Sequence, residues 1–190
     1  MRTILLVGAS ASLMSMIAIP AVAQDFSAEI FGGVRFEDNL DYGNIAYDTD
    51  NGTIFGLRGL YHATPNLSYG LELNATTANY TGFPSEVNAQ SAMAIARYST
   101  PVSQDVDIYG TLGLGAVRVE YDGGASFPAF SGKDTVAGGQ LTLGAAMEIS
   151  PKVGLFGELT YQTTFDTATI ENIDTEYESK NIAVGLRFRF

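Results

Sequence analysis

Cysteine and tryptophan are absent from the 190 residues, histidine occurs once, and 10 Lys+Arg stand against 21 Asp+Glu. Without cysteine there is no disulfide framework, no thiolate zinc site and no cysteine nucleophile. The few basic residues nowhere cluster, which excludes a nucleic-acid partner, because phosphate binding needs grouped Lys and Arg. A hydrolase would have only His62 as an ordinary general base. No apolar run is long and clean enough for a bundle of membrane helices in the mature chain. Yet 46% hydrophobic residues are too many for disorder. Glycine (21), Phe (11) and Tyr (10) are abundant and only 16% of residues are charged, a composition that favours strands joined by tight turns. The length suits one domain.

Arg2 is the only charge before Asp25, and an apolar stretch from Ile4 to Ile19 ends at Pro20. Ala21-Val22-Ala23 places small residues where a signal peptidase reads them. Residues 1–23 are therefore expected to be a cleaved signal peptide, and 24–190 the folded domain. An uncleaved anchor of this length would just span a bilayer, but its serines, glycine and proline argue against it. Cleavage removes Arg2 and leaves 9 Lys+Arg against 21 Asp+Glu, a net charge of −12. An exported chain that lacks cysteine and ends in aromatic residues points to a Gram-negative envelope.

Read with period two, the last segment places Ile182, Val184, Leu186, Phe188 and Phe190 on one face and Ser179, Asn181, Ala183, Gly185, Arg187 and Arg189 on the other. One such segment fits a soluble core equally well, so repetition decides. The first segment sets Phe26, Ala28, Ile30, Val34 and Phe36 against Ser27, Glu29, Phe31, Arg35 and Glu37. The second, Gly52 to His62, sets Phe55, Leu57 and Tyr61 against Ile54, Arg58, Leu60 and His62. The third sets Leu67, Tyr69, Leu71 and Leu73 against Ser68, Glu72, Asn74 and Thr76. In the fourth, Gln90 to Tyr98, two rows compete, and Met93, Ile95 and Arg97 are placed inward because Arg97 is costly in lipid. The fifth, about Val106 to Glu120, alternates Ile108, Leu112, Leu114 and Ala116 with Tyr109, Thr111, Gly113 and Gly115, and its pattern runs out at Arg118. The sixth sets Leu141, Leu143, Ala145, Met147 and Ile149 against Gln140, Thr142 and Glu148. The seventh sets Val153, Leu155, Leu159, Tyr161 and Phe165 against Phe156, Glu158, Thr160 and Gln162.

Long polar connections, roughly 38–51, 79–88, 121–136 and 166–178, alternate with short ones at 63–66, 99–105 and 150–152. That asymmetry predicts an all-β fold: an eight-stranded antiparallel up-and-down transmembrane barrel, short turns periplasmic and long loops extracellular. A soluble barrel of the lipocalin kind would have to bury Phe26, Tyr61, Tyr69, Tyr161, Phe188 and Phe190 near its strand ends, with only aliphatics between. Aromatic ends around an aliphatic band describe a lipid-facing surface instead.

The leader, the eight amphipathic segments and the ending Gly185-Leu-Arg-Phe-Arg-Phe190 resemble the small eight-stranded outer-membrane barrels of the OmpA transmembrane-domain and opacity-protein kind, over the whole mature chain. The resemblance implies an outer-membrane location and makes Leu186, Phe188 and Phe190 an assembly signal read by the outer-membrane insertion machinery. No peptidoglycan-binding domain follows the last strand, so the barrel alone is expected. Expected partners are that machinery, outer-membrane lipids and lipopolysaccharide, and an unknown surface ligand.

Eight strands leave a lumen that side chains fill. Glu29, Glu37, Glu72, Glu148 and Glu158 face Arg35, Arg58, Arg97, Lys180, Arg187 and Arg189 there, and are expected to form a paired network, since unpaired buried charge is costly. The network either fills the lumen or lines a narrow gated ion path. His62 sits beside a short turn, at the rim away from outer-leaflet substrates, so no catalytic residue is assigned. Gly110 to Gly115 looks like a phosphate loop but lies inside a strand pattern. Asp48 and Asp50 are weakly similar to a calcium loop that lacks its bidentate Glu, and turn chemistry explains them; no metal or cofactor is expected. Loops one (Asp38, Asp41, Asp48, Asp50) and four (Asp166, Glu171, Asp174, Glu176, Glu178) are acidic, and Phe127 and Phe130 in loop three are candidate contact residues. The expected function is a non-enzymatic outer-membrane protein with a structural or surface-interaction role. The alternatives are a small porin or narrow channel and, less favoured, an outer-leaflet lipid hydrolase.

Overall fold

Alternation with period two builds a sheet whose two faces meet different media, and inside hydrocarbon that sheet has to close on itself so that no edge N–H or C=O is left without a partner. The computed structural model describes residues 26–36, 39–42, 45–48, 51–79, 86–122, 131–170, 173–175 and 177–190. These form β1 (Phe26–Arg35), β2 (Asn39–Tyr42), β3 (Ile45–Asp48), β4 (Gly52–His62), β5 (Leu67–Asn79), β6 (Glu86–Pro101), β7 (Val106–Asp122), β8 (Gly132–Ser150), β9 (Val153–Thr164), β10 (Ala168–Ile170), β11 (Ile173–Thr175) and β12 (Glu178–Arg189). Eight of them close an antiparallel barrel in the order β1-β12-β9-β8-β7-β6-β5-β4, with β4 pairing back to β1. The other four make a separate sheet, β10-β11-β2-β3, which joins the first and fourth long connections where Thr175 stands opposite Tyr42. The expected leader lies outside the described residues, as do Glu37, Asp50, Phe127 and Phe130.

Facing follows the expected parity. Leu71 is 68% exposed and its neighbour Glu72 1%; Leu112 is 65% exposed and Thr111 1%. On β6, Met93, Ile95 and Arg97 are buried while Ala92, Ala94 and Tyr98 are exposed. The outward row turns from apolar to polar at Thr53, Thr77, Gln90, Arg118, Thr135 and Lys180, which marks the outer edge of the lipid-facing band.

The fifth segment departs from expectation. Its alternation does not run out at Arg118 but changes meaning, with Val117 and Val119 buried inside and Arg118 and Glu120 exposed outside. Above the hydrocarbon the exterior meets water, so apolar side chains turn inward as in a soluble sheet. β7 and β8 thus extend into both ends of the segment expected as loop three, pairing as far as Tyr121 and Gly132.

Inside, three aromatic rings rest on glycines of adjacent strands: Phe31 on Gly56, Tyr109 on Gly144 and Phe156 on Gly185. A Cβ at Gly144 would lie 2.4 Å from Cζ of Tyr109, and at Gly56 2.2 Å from Cζ of Phe31. The rings lie flat on the wall only because those positions lack a side chain.

Candidate functional site in the barrel lumen

Glu29 stands on β1 directly opposite Arg187 of β12 on one side and Arg58 of β4 on the other, and Arg58 in turn faces Glu72 of β5. Strand register alone therefore places four charges of alternating sign side by side. Arg187 Nε donates to Glu29 Oε1 at 2.7 Å and Arg58 Nη1 to Oε2 at 2.6 Å. From β6, across the lumen, Arg97 adds a fork: Nη1 to Oε1 at 2.6 Å and Nη2 to Oε2 at 3.0 Å. Two-point contacts of this kind are the strongest side-chain hydrogen bonds and fix both partners in orientation.

Arg58 is the second hub. It binds Glu72 through Nε at 2.7 Å and Glu158 of β9 through Nη2 at 2.9 Å. Asn74 donates to Glu72, Tyr109 to Glu158 and Arg97 Nε to Thr111. The guanidinium planes lie over aromatic rings: Arg58 4.8 Å from the Phe31 centroid, Arg97 4.2 Å from that of Tyr109. The rings seated on glycines are thus the ones that sandwich the cations. Three carboxylates, Glu29, Glu72 and Glu158, balance three guanidiniums, Arg58, Arg97 and Arg187, all nearly or fully buried. Charges so buried persist only when paired and hydrogen-bonded, and here they form one cross-braced plug.

Four expected members lie elsewhere. Lys180 has outward parity, its side chain 52% exposed and paired with Glu178 at 2.8 Å, because at that height the exterior is already polar. Glu148 and Arg189 have inward parity but sit at the rim of the short turns, partly exposed and paired with each other. Arg35 is fully buried towards the opposite end, where Nη2 donates to the Glu178 carbonyl at 3.0 Å and the guanidinium lies 5.2 Å from the centroid of Tyr177. Asn74, Tyr109 and Thr111 belong to the network without having been singled out as such; their inward parity was the available signal.

Tyr177 makes a second closure. It precedes β12 in what read as a polar loop, yet it is 1% exposed, bonded to Thr76 Oγ1 at 2.8 Å and packed among Val87, Ala89, Val117 and Val119. Between the closures, Gln140 and Gln162 face one another across β8 and β9 among further polar side chains.

The remaining candidates fall as follows. His62 is half-buried at the short-turn rim, its ring nitrogens 2.8 Å from Ser68 Oγ and 2.9 Å from Ser27 Oγ. Gly110 to Gly115 lie inside β7. Asp48 ends β3 and only its backbone is described. Leu186 and Phe188 point outward near the short-turn rim, and the Phe190 N–H donates to the carbonyl of Phe26 at 3.1 Å.

A family model described as outer membrane protein beta-barrel domain matches residues 9–190. No curated protein matches the sequence. Among solved structures the chain is similar to Neisserial surface protein A, with 18% identity, a TM-score of 0.63 and coverage of 88% of this chain and 98% of that one. It is similar to OprG of Pseudomonas aeruginosa at 12% identity and a TM-score of 0.62, covering 88% and 97%. It is also similar to Ail of Yersinia pestis, an attachment invasion locus protein solved with the heparin analogue sucrose octasulfate, at 15% identity and 0.53, covering 87% and 99%. At such identities the likeness is one of fold.

Proposed function

Since the chain belongs to the outer-membrane β-barrel family, and so to the bacterial outer membrane, we propose that it acts there as a non-conducting scaffold whose extracellular loops are its working surface. What carries this reading is the fork from Arg97 on β6 to Glu29 on β1, which ties together walls three strands apart across the lumen of the described barrel. The sheet β10-β11-β2-β3 joins the first and fourth connections, and in this reading these two acidic loops make one surface at the outer end. His62 has serine hydroxyls as its hydrogen-bond partners and sits at the short-turn rim, which argues against an outer-leaflet hydrolase. In this reading residues 1–23 are removed on export, and Leu186, Phe188 and Phe190 address the chain to the insertion machinery.

Planar-bilayer recording on the refolded mature protein tests the proposal. Silence at voltages that leave the barrel folded supports the scaffold, whereas steady unitary openings establish the small-pore alternative. Removal of Phe190 is expected to lower surface levels in cells while leaving refolding in detergent intact.

A further inference from the structure

The exterior of the barrel carries a concavity of about 500 Å³ across β4 to β8, walled by Phe55, Leu57 and Leu73, floored by Ala75, Ala92 and Ala116, with Gln90, Arg118 and Thr135 at its outer end. Register explains its shape. Leu73, Ala92 and Ala116 stand side by side on neighbouring strands, and one step lower Leu71, Ala94 and Leu114 do the same. The concavity is thus open over both β6 and β7 at Ala92 and Ala116, and below it the outward row of β6 continues as a narrower furrow with Ala94 between Leu71 of β5 and Leu114 of β7. From Ala96 to Gln90 it runs six residues, about 20 Å along a tilted strand, against about 15 Å for the hydrocarbon of one leaflet.

On a membrane-crossing exterior such a furrow is filled by hydrocarbon, because water there would face apolar walls. Its outer end adds selectivity. Glu120, the next outward residue on β7, stands opposite Lys133 on β8, whereas Arg118 has the uncharged Gln90 and Thr135 opposite it at the lipid boundary. We propose that the furrow is a lipid site which seats one acyl chain of a phosphate-bearing outer-leaflet lipid, with Arg118 and Gln90 binding the phosphate. This surface is distinct from the loops, so its failure would leave the scaffold reading untouched.

Native mass spectrometry of the full mature protein in mild detergent tests this, with diphosphoryl lipid A and its dephosphorylated form as probes at equal concentration. The phosphorylated form should be retained roughly tenfold better, the worth of one charge-assisted hydrogen bond. Arg118→Gln should bring that ratio close to one, and Ala92→Leu, which fills the furrow, should lower retention of both forms. Lys180→Gln, at the same height on the far side of the barrel, should change nothing, and the heat-dependent gel shift of the closed barrel confirms that each variant folds. Equal retention of the two lipids by the unmodified protein overturns the proposal. So does an equal loss in K180Q and R118Q, which would mean diffuse attraction, or a dimer that A92L disrupts, which would make the furrow a contact between copies.

Discussion

Glu29 and Arg97 stand on strands three apart in the eight-stranded barrel and meet in a fork of 2.6 and 3.0 Å across its interior. Both of the carboxylate's oxygens are occupied, since Arg58 and Arg187 reach them as well.

Glu29→Gln would leave three guanidiniums facing two carboxylates. Removing one partner of a buried pair costs about 3–5 kcal/mol, because the other is left uncompensated. Urea unfolding of the refolded protein in lipid vesicles should show a loss of that size. The double variant E29Q/R97M should lose less than the sum of its singles, because the two replacements remove charges of opposite sign. A loss under about 1 kcal/mol, within the range of solvent-exposed pairs, would show that the network does not brace the barrel.

Facing predicts a depth-dependent cost. Leu143→Arg, in the lipid-facing band of β8, should destabilise by roughly 2–4 kcal/mol in bilayers, and Thr53→Arg at the outer boundary by about 0–1 kcal/mol. Equal costs would contradict the alignment of the apolar band.

Inside that band, period two was enough to read the wall: lipid on one side and a narrow polar lumen on the other leave each residue one acceptable face. Arg97 alone settled β6 between two competing rows, since an arginine cannot point at hydrocarbon cheaply. The same rule misplaced Lys180, and it made the alternation of β7 seem to run out at Arg118, because both residues lie where the exterior has become aqueous and the meaning of alternation reverses. Tyr177 was illegible for another reason. Its partner Thr76 lies 101 residues away, and a tyrosine in a polar segment carries no sign of which wall it will close.

The ring-on-glycine pairs predict a coupling that neither residue has alone. Gly144→Ala puts a Cβ where Tyr109 lies, and overpacking of this kind costs about 1–3 kcal/mol. It also pulls the Tyr109 hydroxyl from Glu158 and its ring from under Arg97. In a Tyr109→Leu background the same alanine should cost little. Stability measured on the four variants gives the coupling, and additive effects would mean that the ring does not depend on the glycine.

The two closures predict a logic for conduction. Tyr177→Ala removes a buried ring and its bond to Thr76 from the outer end, but leaves the fork between Glu29 and Arg97 in place. An ion entering from outside would still meet carboxylates whose oxygens are taken by guanidiniums, and moving one aside means separating a buried pair. Y177A should therefore remain silent in planar bilayers, as should E29Q/R97M with its outer ring intact. The triple variant lacks the outer ring and the fork but keeps Arg58 between Glu72 and Glu158, so it should be the first of the series to show openings, through a lumen lined by polar side chains such as Gln140, Gln162 and Ser91. Steady current through Y177A alone would show that the charge network yields to ions, and the lumen would then be a gated path with Tyr177 as its lid.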